Sequence, residues 1–127
     1  MGNYMDHKLE TLQQILDNMT EDSGFYGAVI SSEEGLIIIN SNHMDPKIEI
    51  EPLAAKAASI LNNYEIFSDN PEDITITYPN KKIFIRKVST FNNTENSVIL
   101  IAIMPNNMRY YRRKVNKIAN NVIRSIC

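Results

Sequence analysis

The residues with which a chain of this size would do chemistry are histidine, cysteine, an activated serine or a glycine-rich loop, and here each is poorly placed for it. His7 and His43 are the only histidines. Each sits in a polar segment without cysteine or periodic carboxylates nearby, whereas a metal centre wants several converging ligands; both are expected to face solvent. The single cysteine is Cys127, so an intrachain disulfide and a four-thiolate metal site are excluded. Lipid anchoring is disfavoured too, since no residues follow Cys127 and Asp6 stands where myristoylation wants Ser or Thr. Ser31 and Ser32 precede a hairpin turn, not the strand-to-helix elbow of an activated nucleophile. Gly24-Phe25-Tyr26-Gly27 leads into a strand and lacks the Lys-Ser or Lys-Thr pair of a phosphate-cradling loop. Its glycines are expected to let the chain turn and to let a helix lie close to the first strand. No catalytic residue, metal or cofactor is assigned, and the chain is not expected to be an enzyme.

Charge is the stronger signal. Residues 1–73 carry fourteen acidic and three basic side chains, and residues 74–127 carry one acidic and ten basic. The formal net charge of -2 hides this polarity. Arg109, Arg112, Arg113 and Lys117, with Lys114 and Arg124, fall in a final stretch without an acid and form a candidate basic docking patch. Such a patch could meet phosphate, an anionic membrane or a partner protein. Tyr110 and Tyr111 lie within it, but no homeodomain, zinc-finger, K-homology or single-strand platform signature accompanies them, which disfavours nucleic acid. Membrane contact is a weaker alternative to a solvated or protein-docking face. The acids around residues 69–73 are given no role beyond steering.

Composition bounds the class. With 127 residues, 43% hydrophobic side chains, four Gly and five Pro, the chain suits one ordinary packed domain spanning residues 1–127. No run approaches the roughly 18 apolar residues of a membrane helix, and residues 1–10 lack the order of a signal peptide, so the expected address is the cytoplasm. No repeat or linker interrupts the pattern.

Hydrophobic period then gives the elements. Leu9, Leu12, Ile15 or Leu16, and Met19 recur at helical spacing and predict a helix over 6–20 that stops before Ser23-Gly24. Strands follow over 25–31 and 36–40, joined by a tight turn whose Gly35 can take a positive φ. A second helix is expected with Glu51 as cap and Pro52 at its first position, striped by Leu53, Ala57, Ile60 or Leu61, and Tyr64. Its many alanines suit close approach of another element. Residues 74–78 alternate with period two, residues 82–89 form a further strand, 91–96 a polar loop, and 98–103 the most apolar run of the chain. Uninterrupted apolarity demands cover on both faces and alternation does not, so 98–103 should be central and 74–78 an edge. Asn106 or Asn107 is expected to cap a last helix with Met108, Tyr111, Val115, Ile118, Val122 and Ile126 on one face. The fold class is α/β (α+β): one five-stranded antiparallel sheet, helices on both faces, in the order helix, hairpin, helix, three-stranded meander, helix.

That order, the segment 24–38 with its small-residue strand, Glu34-Gly35 turn and apolar second strand, the alanine-rich run 53–61, and the Asn106-Asn107-Met108-Arg109 entry into a long helix resemble the Roadblock/LC7 family. Most members carry Asp before the turn glycine, where this chain has Glu34. The resemblance covers nearly the whole chain and implies a profilin-like architecture. It also implies a homodimer, or a heterodimer, in which third strands pair edge to edge and second helices pack together. Carried onto this sequence, it puts Ile74, Ile76 and Tyr78 on the joining strand and Leu53, Ala57, Leu61 and Tyr64 on the joining helix. The residues agree independently, because an alternating edge strand without Lys or Pro needs pairing or protection. Family resemblance further implies a non-enzymatic regulator or platform for a Ras-like small GTPase, with the nucleotide on the partner. The alternative is a structural scaffold subunit with no nucleotide-state preference.

Overall fold

The computed structural model describes residues 4–41, 44–63, 71–90 and 93–126. Its elements are α1 (Tyr4–Ser23), β1 (Gly27–Ser32), β2 (Ile37–Asn40), α2 (Ile50–Asn63), β3 (Asp73–Thr77), β4 (Lys82–Thr90), β5 (Asn93–Met104) and α3 (Tyr111–Ile126). The strands form one antiparallel sheet in the order β2-β1-β5-β4-β3. The apolar run 98–103 therefore lies at the centre and the alternating strand at an edge, as expected.

Alternation across the pleat sorts the core into two layers. Ala28, Ile30, Phe84, Val88, Leu100, Ala102 and Met104 point to one face, where they meet Leu12 and Leu16 of α1 and Val115, Ile118 and Val122 of α3. Val29, Ile83, Ile85, Ile99, Ile101 and Ile103 point to the other, where α2 supplies Ala54, Ala57, Ala58 and Leu61. Two helices thus cover one face and a single helix the other. A bulge between Ile30 and Ser31 in the β1–β2 ladder breaks the parity of β2. Ile37 consequently packs with the α2 layer while Ile39 joins the α1 and α3 layer.

The β1–β2 turn shows why α2 is rich in alanine. Gly35 adopts φ +91°, and its amide donates to the Ser32 carbonyl at 3.0 Å. A β-carbon at this position would stand 2.9 Å from Ala55 Cα and 3.1 Å from the Ala54 carbonyl oxygen. The small side chains let α2 lie directly on this turn, and Asn62 reinforces the contact by donating to the Glu33 carbonyl at 3.0 Å. Gly27 serves a different neighbour from the one expected: the Met44 side chain of the β2–α2 connection, not a helix, occupies the space its missing β-carbon leaves.

Four boundaries differ from expectation for a reason visible in the structure. Helix α1 runs through Ser23, and Gly24, at φ +75°, ends it as the Phe25 amide reaches back to the Thr20 carbonyl. Helix α2 begins at Ile50, with Leu53 N–H donating to the Glu49 carbonyl, so Glu49 takes the place expected for Glu51. Pro52 still falls within the first turn, where amides have no intrahelical partner. Strand β5 starts at Asn93, paired with Thr90, and takes in most of the expected polar loop; residues 91 and 92 lie outside the described residues. The Ser89 and Ser97 hydroxyls, 3.1 Å apart, replace apolar packing along that extension.

The fourth difference is the start of α3, at Tyr111 and not after Asn106 or Asn107. Asn106 and Asn107 occupy a turn closed by the Met108 amide on the Pro105 carbonyl. Lys82 Nζ donates to the Met108 carbonyl at 3.0 Å, and Tyr110 takes φ +60°. A left-handed conformation costs a non-glycine residue about 1–2 kcal/mol, and no right-handed helix continues through it.

Gly35→Ala should destabilise the protein by about 1–3 kcal/mol, because the new methyl meets backbone and the positive φ strains it. Gly27→Ala meets only the flexible end of Met44 and should cost less. Urea unfolding of both variants checks the order.

Candidate functional site

Among the described residues no group of three or more His, Cys, Asp or Glu side chains could hold a metal ion. His43 and Cys127 lie outside the described residues, as does the side chain of His7. The two serines of the β1–β2 corner are structural. Ser31 is buried and donates to the Ser32 carbonyl at 3.0 Å, while Ser32 Oγ accepts the Leu36 amide at 3.1 Å. What the fold presents is surface for macromolecular contact, in two places.

The first is the edge at β3. Its inner side is laddered to β4 from Asp73↔Arg86 to Thr77↔Lys82, leaving the outer side of the strand as the sheet edge. Ile74 and Ile76 point to the α2 face, yet they are only partly buried, because one helix cannot span five strands. On the other face the strand is tied down: Thr75 Oγ1 and Tyr111 Oη are 3.1 Å apart, and Arg112 reaches Asp73 at 3.4 Å. The opposite edge, β2, is guarded. It is only four residues long, and Gln13 Nε2 of α1 donates to the Asn40 carbonyl at 2.9 Å.

The orientation of α2 decides which of its residues adjoin that open edge. Ala54, Ala57, Ala58 and Leu61 face the sheet, and Ala55 and Asn62 face the β1–β2 turn. Helical geometry then puts Leu53 and Ile60, both partly buried, on the opposite flank, toward β4 and β3. Of the residues assigned to a joining helix, Leu53 lies on this flank. Ala57 and Leu61, 2% and 1% exposed, belong to the chain's own core. Tyr64 lies outside the described residues. Tyr78, 42% exposed, sits just past the end of β3, with Lys81 Nζ 5.0 Å from its ring centroid. Periodicity alone leaves Ile60 and Leu61 as equivalent candidates for one stripe; the structure puts Leu61 in the core and Ile60 on the flank.

The second surface is the basic patch. Arg109, Arg113 and Lys117 are exposed and have no ion-pair partner among the described residues. Arg112 differs from them: besides Asp73 it lies over the Phe84 ring at 5.4 Å, so it helps anchor α3 to the sheet. Lys114 donates to the Ser23 carbonyl at 3.0 Å and ties α3 to the end of α1. The patch is therefore smaller than the charge count suggests.

This architecture recurs in solved structures. MglB of Myxococcus xanthus superposes with TM-score 0.75 at 13% identity, over 99% of this chain and 92% of that one. The gliding protein MglB of Thermus thermophilus gives TM-score 0.78 at 9% identity, over 98% and 93%. A Roadblock/LC7 domain from Streptomyces avermitilis gives 0.72 at 11% identity, over 90% and 96%. The chain has the Roadblock/LC7 fold. No family model matches its sequence, and no curated protein matches it significantly. In the Roadblock/LC7 fold of this chain, then, the open β3 edge lies beside the half-buried flank of α2, and the cations lie on the opposite layer. No helix among the described residues is long and apolar enough to cross a membrane.

Leu61→Ala should lower the unfolding free energy by about 2–5 kcal/mol, as a fully buried leucine does. Ile60→Ala, at a flank position, should cost a protein held as monomer less than about 1 kcal/mol. Chemical denaturation of the two variants at high dilution tests this assignment of the helix face.

Proposed function

We propose that residues 1–127 form one domain that acts as a dimeric, non-enzymatic platform for a Ras-like small GTPase, altering the partner's nucleotide cycle or its location. The observation that carries the dimer is the open β3 edge flanked by partly buried Ile74 and Ile76. An edge of this kind, without Lys or Pro in the strand and without a covering helix among the described residues, is an aggregation liability unless it is paired. A two-fold axis beside β3 would pair it with its own copy and extend the sheet across both protomers, and closed symmetry would stop the assembly at two. Leu53 and Ile60 would then meet their equivalents across the axis, while Ala57 and Leu61 stay within each core.

The GTPase is supported by the family resemblance of the sequence and by the likeness of the fold to MglB and Roadblock/LC7 structures. A Ras-like partner supplies the nucleotide and its hydrolysis; this chain supplies a surface that favours one nucleotide state over the other.

Light scattering tests both parts. Ile76→Asp should convert dimer to monomer, since burying an unpaired carboxylate costs several kcal/mol; a persistent dimer would place the joint elsewhere. Small GTPases encoded by the same organism, loaded with GDP or with a GTP analogue, should include one that binds the wild-type dimer in a state-dependent way. Binding indifferent to nucleotide would make the protein a structural scaffold instead.

A further inference from the structure

Of the five large hydrophobic side chains exposed among the described residues, three are tyrosines at one end of the sheet: Tyr26 at 45%, Tyr78 at 42% and Tyr110 at 87%. They stand where β1 begins, β3 ends and β5 passes into α3. Two of the three loops that carry them are joined. Asn106 Nδ2 donates to the Pro79 carbonyl, and Lys82 Nζ to the Met108 carbonyl, so the β3–β4 turn and the β5–α3 connection are tied together. Tyr26 and Lys81 line one open cleft, whose other wall is Lys47 and Ile48. Lys47 and Arg109 are exposed, Lys81 is half-exposed beside the Tyr78 ring, and Asp45 is the only carboxylate among the described residues that line the cleft.

Tyr110 makes this end more than a chance grouping. It holds a left-handed backbone that strains any residue but glycine, yet its side chain is almost wholly in solvent and contributes nothing to either core layer. Strain kept without an intramolecular return is characteristic of functional positions. Exposed tyrosine next to unpaired Arg and Lys is also the composition of a protein-binding hot spot, where rigid aromatics give contact area and the cations give complementarity.

We propose that this end of the sheet, centred on Tyr110 and Arg109 and extending over Tyr78, Lys81 and Tyr26, docks an acidic segment of a partner protein. The inference goes beyond the dimer and does not depend on whether the partner is a GTPase. A protein segment fits better than lipid, because Tyr26 and Lys81 line an open cleft with a wall of its own, whereas the exposed cations aligned in one row are Arg113, Lys117 and Arg124 along α3.

The test is an NMR titration of the isotope-labelled protein with a short synthetic peptide alternating glutamate and leucine, repeated with Tyr110→Gly and Arg109→Glu. Glycine suits the positive φ, so Tyr110→Gly should unfold at a temperature no lower than wild type while binding the peptide about tenfold more weakly, as loss of a hot-spot aromatic does. Arg109→Glu should weaken binding by a similar factor, and the loss should shrink as salt rises. The wild-type shifts should centre on Tyr26, Tyr78, Lys81 and Arg109. Shifts centred on Arg113 to Arg124, absence of saturable binding, or unchanged affinity in Tyr110→Gly would each overturn the proposal. So would tighter binding to phosphatidylserine vesicles than to the peptide through these same residues, which would assign the surface to lipid.

Discussion

The structure depends on one constraint: β5 is apolar on both faces. From Val98 to Met104 every side chain is buried, the even positions on one side of the sheet and the odd positions on the other. No strand of that kind can face water, so helices must lie on both sides, and the chain has three with which to do it. Placing α1 and α3 together on one face leaves α2 alone on the other. Five strands are wider than one helix, and the shortfall falls at β3, the strand farthest from β1 and its turn, where α2 is pinned by Gly35 and Asn62. The open edge is thus a consequence of how the central strand is covered.

Much of this was legible in the residues, for physical reasons that also mark where legibility ended. Continuous apolarity identified β5 as central and alternation identified β3 as an edge, because each pattern has one stable environment. Helix periodicity was less informative for α2. A stripe says that one face is buried, but whether Ala57 and Leu61 face the chain's own sheet or a second copy depends on the approach angle of the helix, and that is fixed by a contact between Gly35 and Ala55, distant in sequence. The late start of α3 was hidden for a similar reason. Asn106 and Asn107 are good caps and equally good turn residues, and what selects the turn is Lys82, reaching across from β4 to the Met108 carbonyl.

The charge break near Asp73 is partly healed by folding. Arg86 meets Glu72 at 3.7 Å, Lys87 meets Glu33 at 3.1 Å and Arg112 meets Asp73 at 3.4 Å, each joining a cation of the second half to an acid of the first. Such partly exposed pairs contribute little stability, about 0–1 kcal/mol each. Their larger effect is to remove charge from the surface around β3 and β4 and leave it at the α3 ridge and the end of the sheet. Within the patch read from sequence as one block, Arg112 is tied to Asp73 and lies over the Phe84 ring, whereas Arg109 and Arg113 have no ion-pair partner among the described residues.

Two features work against the stability of the isolated chain. A lysine within β3 would guard its edge, and a glycine at position 110 would relieve the positive φ; the fold accommodates either without touching the core, since the edge is open and Tyr110 is exposed. Local rules are broken in proteins mainly where function requires it, and elsewhere this sequence obeys them closely: glycine at the β1–β2 turn, polar residues along the β4–β5 extension, a satisfied partner for each buried polar side-chain atom among the described residues. The two departures lie at different sites, one at the flank and one at the end of the sheet, and approach each other at Tyr78, so a partner centred on Tyr110 and Arg109 need not displace a second copy paired along Ile74 and Ile76. Dimerisation and partner recognition can then be retained together in one small domain, because the surface each requires is left over from covering the other layers of the same sheet.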